Sequence, residues 1–202
     1  MTRAALLLAV LALTACSREQ AVAPAAQPVK PPEPAPVAQA PVAPAPAVWP
    51  LVQPPEPGTP GGLPDDRTPI SEAPFTPQSA QGASNVVQTY FAHLGQKNYI
   101  AAWALWADGG RASGSATPDA FRQTFAKYAQ YDALSGAPGS IEGAAGSLFV
   151  TVPVVIYGRL TTGAEVHEKG EATLRRVNNV DGSTPEQRRW HIEKIETKPS
   201  PG

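Results

Sequence analysis

A single cysteine, Cys16, stands among 202 residues, so the chain can form neither an internal disulfide nor a thiolate metal cluster. The side chains that could move protons are Asp132, Glu142, His167 and Glu171, with phenols at Tyr90, Tyr99, Tyr128, Tyr131 and Tyr157. His167 and Glu171 share one face of a strand by parity, yet four residues of strand set them about 13 Å apart. The alternation in HEKGE, with Lys169 between them, is most simply a solvated strand surface. His93 falls between core positions of a helix, and His191 reads as the outward residue of a strand beside Trp190 and Ile192. No two histidines lie one helical turn apart as metal ligands would. No glycine-rich phosphate loop follows a strand, and no serine occupies a nucleophile elbow. The expectation is therefore no metal, no cofactor and no catalytic residue. The aromatic residues Tyr90, Trp103, Trp106, Phe125 and Tyr128 recur closely, either as core packing or as the lining of a pocket for an apolar ligand or peptide.

These side chains must be positioned by the region after Ala83, where hydrophobic periodicity begins. Val86, Val87, Tyr90, Phe91 and Leu94 recur at helical spacing, with Ser84 as a candidate cap and Gly95 as a stop. Asn98 can cap a second, shorter helix bearing Tyr99, Ala102, Trp103 and Trp106. Thr117-Pro118-Asp119 is a helix start: a cap, a proline in the first turn and an acid at the positive end. From SLFVTVPVVIYGRL onward the period is two, with Leu148, Val150, Val152, Val154 and Ile156 on one face. Pro153 suggests an edge or bulge, TTGAE a hairpin turn, and Gly170 a bend in the returning strand EVHEKGEATLRRV. RWHIEKIE closes the pattern, and YDALSGAPGSIEG supplies one or two short strands before it. The sum is an α+β domain over 83–198: three N-terminal helices on a curved, cone-like antiparallel sheet, with a short disordered tail at 199–202.

VVQTYFAHLGQKNYIAAWALW, GSLFVTVPVVIYGRL, GEATLRRV and RRWHIEKIE together resemble the ketosteroid-isomerase-like, or nuclear-transport-factor-two-like, superfamily. A cystatin-like helix-on-sheet fold is the alternative. The resemblance implies a cone wrapped around a long helix. In some members it implies an acid-base residue inside the cone, as in small isomerases and dehydratases; in others it implies a homodimer formed through the sheet.

The amino terminus carries a different kind of information. MTRAALLLAVLALTAC has one positive side chain and then an apolar run, the plan of a secretory signal, and the run is shorter than the roughly 20 residues that span a membrane. Leu13-Thr14-Ala15-Cys16 resembles the lipobox of bacterial lipoproteins. That likeness implies removal of 1–15 and acylation at Cys16, where more than one acyl chain gives firm anchorage; the alternative is a simple cleaved signal with Cys16 incidental. The same resemblance carries a sorting expectation: with Ser17 rather than aspartate after the cysteine, it implies the outer membrane, facing the periplasm.

Of 24 prolines, eighteen lie between Ser17 and Gly82. Alanine and valine between prolines bury too little to form a core, so 16–82 reads as a lipidated amino terminus and a disordered Pro/Ala-rich linker. Roughly 66 residues at 3.1 Å each would reach roughly 200 Å fully extended. Trp49-Pro50-Leu51 is its one hydrophobic punctuation and its candidate docking spot. A net charge of −1 argues against nucleic acid as a partner. The expected partners are the membrane through the lipid anchor, an envelope protein or peptidoglycan-associated molecule, and a second copy of the chain. The reading of function is a cell-envelope lipoprotein displaying a non-catalytic binding or assembly domain, with a small isomerase or dehydratase as the alternative.

Overall fold

The structure is a computed structural model, and it describes residues 48–65 and 74–202. Cys16, the signal segment and the linker up to residue 47 lie outside the described residues. The architecture is α+β: helices α1 (Ala80–Gly95), α2 (Tyr99–Ala104) and α3 (Pro118–Thr124) cover one face of a five-stranded antiparallel sheet. A 3-10 turn at Asp108–Ser113 joins α2 to α3.

Each helix starts where a side-chain oxygen captures a free backbone N–H. Asn98 Oδ1 accepts from Ala101 at 3.3 Å, and Thr117 Oγ1 accepts from Ala120 at 3.2 Å with Pro118 in the first turn. For α1 the cap is Ser79, accepting from Gly82 at 3.1 Å, not the expected Ser84. The helix begins a turn earlier because Ser84 is small enough to be buried inside it, on the same face as Val87, Tyr90, Phe91 and Leu94.

The sheet is built on the hairpin of β3 (Ser147–Leu160) and β4 (Glu165–Val177), paired in unbroken register from Ser147↔Val177 to Arg159↔Glu165. β5 (His191–Pro199) flanks β4; β1 (Tyr128–Ser135) and then β2 (Glu142–Ala144) flank β3. Alternation sends Val150, Val152, Val154 and Ile156 into the helix-side core with Ala172, Leu174 and Ile192. Pro153 is accommodated because β1 ends at Ser135↔Val154, and β2 resumes only at Phe149. The missing N–H therefore falls in the gap between two partners, where the Pro153 carbonyl still accepts from Gly136 at 2.8 Å. At Gly170 the backbone of β5 comes so close that a Cβ would collide with the Glu196 carbonyl, so the expected bend there is a close strand approach.

The largest departure from the sequence reading is at 48–65. These residues belong to the stretch expected to be a spacer, yet they lie as a strap across the sheet face opposite the helices. Gln130, Val155, Arg159 and Lys169 point to that face by alternation. The Gln130 amide holds the Val52 backbone at both ends: Val52 N–H donates to its Oε1 at 2.8 Å, and its Nε2 donates to Val52 O at 3.0 Å. Arg159 donates to the carbonyls of Pro50 (3.3 Å) and Gly163 (2.8 Å), pairs with Glu165 at 2.8 Å, and sits 5.9 Å from the Trp49 ring. Lys169 Nζ donates to Gly62 O at 2.6 Å, and Leu63 lies beside Gly136. Val52 is buried, and Val155 is fully buried although it faces away from the helices. Apolar burial, main-chain hydrogen bonds and a cation–π contact hold the strap, so proline content alone did not decide its state. The tail is also placed: Ser200 N–H donates to His167 O at 2.9 Å, and Pro201 touches Gly61.

Candidate functional site

The concave side of the sheet is filled by the protein's own rings. Tyr90 packs edge-on against Phe91 and Trp106, and Phe125 edge-on against Phe121 and Tyr131. Such geometries add to the stability gained from burial. Burial pushes the Tyr90 and Tyr131 phenols far above their ordinary pKa, so both stay protonated and neither is a base near neutral pH.

The five aromatic residues expected to line one pocket therefore divide. Tyr90 is core. Trp103 is structural: its indole N–H donates to Ser115 O at 3.2 Å, and its ring lies flat over Gly110, where no Cβ would fit. Trp106 borders a recess between the 3-10 turn and the ends of β4 and β5. Only Phe125 and Tyr128 meet at one opening.

That opening is the mouth of the cone. A recess of about 230 Å³ is walled by Leu94, Tyr99, Phe125, Tyr128 and Tyr131, with Leu51 of the strap on its rim. It meets a groove of about 580 Å³ running between the second half of α1 and β1, lined by Phe91, Ala92, Ala133, Leu134 and Tyr157. Gly95 and Asp132 belong to both. Among the described residues β1 ends the strand order, so its outer backbone edge borders this groove. An exposed edge of this kind can accept an extended segment as a further strand.

Asp132 is the one acid among the four candidates that the structure brings to an opening. Its carboxylate accepts from Gln130 Nε2 at 2.9 Å, the same amide nitrogen that donates to Val52. A Cβ at Gly95 would stand 3.4 Å from Asp132 Oδ1, which places the end of α1 beside the acid. Burial, and then the charge of Asp132, raise the pKa of the Tyr157 phenol on the groove wall. Glu142 lies exposed on β2, and Glu171 is exposed on β4. His167 contacts Glu165 at 3.5 Å and not Glu171, in keeping with the strand spacing. His191 sits 3.2 Å from Glu186, and its pKa is lowered chiefly by burial, against the opposing pull of that carboxylate. His93 is half-buried on α1. Among the described residues, no group of three or more His, Cys, Asp or Glu side chains could hold a metal ion, and no helix is long and apolar enough to cross a membrane.

Sequence reasoning missed Gln130. Gln130 is uncharged and carries no motif; its only signal is that it stands two residues before Asp132 on the same face. Trp49-Pro50-Leu51 was visible as the hydrophobic punctuation of the proline-rich stretch; in the structure its neighbour Val52 is the buried contact, and Leu51 stays largely exposed on the recess rim.

No known family profile matches the chain, and no curated protein matches it. Among solved structures, one similar fold is a provisionally assigned scytalone dehydratase from Novosphingobium aromaticivorans, 15% identical over 59% of this chain and 82% of that one, with a TM-score of 0.41. Another is Aln2 from a Streptomyces species, 11% identical over 63% of this chain and 94% of that one, with a TM-score of 0.39.

Proposed function

We propose that this protein is a lipid-anchored envelope protein whose domain is a non-catalytic binding module, with the groove between α1 and β1 as its recognition surface. The observation that carries this reading is the filled cone: rings occupy the concave face, while the accessible recesses lie at its mouth and along the β1 edge. The groove combines an apolar wall, a free strand edge and one fixed carboxylate, which suits an extended apolar segment of a protein carrying an N–H for Asp132. Anchorage rests on the lipobox-like Leu13-Thr14-Ala15-Cys16 and on Ser17, which favours the outer membrane. With the strap counted in the domain, the spacer is about 30 residues and reaches about 100 Å at most. The strap also covers the face through which a second copy would pair.

A second reading is favoured by one observation, that Asp132 sits beside tyrosines at an opening. In it the protein is a small isomerase or dehydratase with Asp132 as its base, as the ketosteroid-isomerase-like resemblance suggests.

A photo-crosslinker placed at Gln96, on the groove rim, separates these readings in intact cells. Binding predicts discrete protein adducts that Ala92→Trp, which fills the groove, abolishes and Asp132→Asn only weakens. No adducts, or adducts indifferent to Ala92→Trp, would overturn it. Mass spectrometry of the mature amino terminus tests anchorage separately: cleavage elsewhere, or an unmodified Cys16, refutes it.

A further inference from the structure

The third recess lies far from the groove. Its floor is the end of β4, where Arg175 stands eight residues, about 27 Å along the strand, from His167, the register partner of the groove residue Tyr157. It has a volume of about 410 Å³, and Arg175, Arg176, Arg189 and His191 line it opposite Ala107 and Gly109. Two carboxylates stand on its rim, Asp108 and Glu186. Glu186 is already engaged, 3.5 Å from Arg189 and 3.2 Å from His191.

The two strand arginines are the unusual feature. Among the described residues neither has a carboxylate within ion-pair distance. Arg175 spends one N–H on Ser147 Oγ at 3.1 Å. Arg176 makes no hydrogen bond among the described residues; its guanidinium lies 5.1 Å from the Trp190 ring, and its Nε is sealed from solvent without a partner. Trp190 is itself fixed, its indole N–H donating to Ser79 O at 3.0 Å, so Arg176 rests on a rigid platform. A guanidinium stacked and partly desolvated keeps its planar fork for a carboxylate or phosphate. Burial lowers the Arg176 pKa in the same sense, the mark of a cation short of an anion.

We infer that this recess is a binding site for a singly charged oxyanion, a carboxylate or phosphodiester borne on an organic molecule, approached by Arg176 from the Trp190 face of β4 and by Arg175 from its Ser147 face. Three arginines outnumber the two carboxylates of the lining, which favours an anion over a neutral ligand. Ala104, Ala107 and Trp106 form an apolar wall for the body of the ligand.

Titration of the full chain, followed by NMR, with N-acetylalanine and separately with dimethyl phosphate tests the site and tells its two sources apart. Saturable binding of either probe is expected, weakened about tenfold by Arg175→Gln and unchanged by Arg122→Gln, which alters an exposed arginine on α3. Arg176→Gln could loosen the stack on Trp190, so Arg176→Lys, which keeps the charge and loses the fork, is measured beside it and should weaken binding severalfold with an unchanged melting temperature. No saturable binding of either probe into the tens of millimolar overturns the inference. So does binding that survives both Arg175→Gln and Arg176→Lys.

Discussion

Replacing Gln130 by alanine removes both hydrogen bonds that clamp Val52 and leaves the β1–β3 ladder intact, because that ladder is main-chain. Each bond is neutral and only part-buried, so its net worth is about 1 kcal/mol, and the pair contributes about 2 kcal/mol to local closure. A loss of that size raises the open population of the strap about 30-fold. Native-state hydrogen exchange reads it directly: the Val52 amide should exchange about 30-fold faster in the variant, while amides of the β3–β4 hairpin keep their wild-type rates. Arg159, Lys169 and the buried Val52 side chain still hold the strap, so it should loosen at its centre without detaching. Three results refute the reasoning. One is a Val52 amide unprotected in the wild type; another is equal protection in the two proteins. The third is acceleration spread evenly over the hairpin, which would mean that Gln130 supports the whole sheet and not the strap.

Two further outcomes follow from burial and close approach. The Tyr90 and Tyr131 phenols keep their protons in the folded state to well above their unfolded pKa of 10.0; above that pH the unfolded chain binds fewer protons, so stability falls as pH rises, by about 1.4 kcal/mol per pH unit for each phenol. Denaturant melts at rising alkaline pH check the slope, and near-ultraviolet absorbance should show these two tyrosines ionising only with unfolding. Gly170→Ala places a methyl group against the Glu196 carbonyl, so β5 must shift, at a cost of about 3 kcal/mol and a fall of about 10 °C in melting temperature; thermal unfolding by circular dichroism is the check.

The parts legible in the sequence are those in which side chains define the element. Thr117-Pro118-Asp119 marks the start of α3 through an oxygen, a ring and a charge, and the alternation of Val150 to Ile156 marks a strand with one face in the core. The strap was illegible because its partners are the main-chain groups of Pro50, Val52 and Gly62, which every sequence possesses. What distinguishes it, Gln130 and Arg159, lies about a hundred residues away and faces it only once the β1–β3 register is set. The site fared similarly. Helical spacing shows that Tyr90, Phe125 and Tyr128 turn inward, but whether they line a hollow or fill it depends on the small difference between the enclosed space and the side-chain volume. Here the volumes match, and the opening is displaced to the rim.

That displacement ties the strap to the groove. One amide nitrogen of Gln130 donates both to Val52 O and to Asp132 Oδ2, and Leu51, the neighbouring strap residue, stands on the wall of the mouth recess. Opening the strap therefore frees the groove carboxylate to reorient and removes one apolar wall in a single event. Any ligand that touches Leu51 or accepts the present orientation of Asp132 binds the strapped form better. By linkage it must then hold the strap closed by the same factor. The strap at 48–65 is thus part of the lining of the mouth recess. A domain cut at the start of α1 would lack the Leu51 side of the mouth recess, and its outer sheet face would expose Val155.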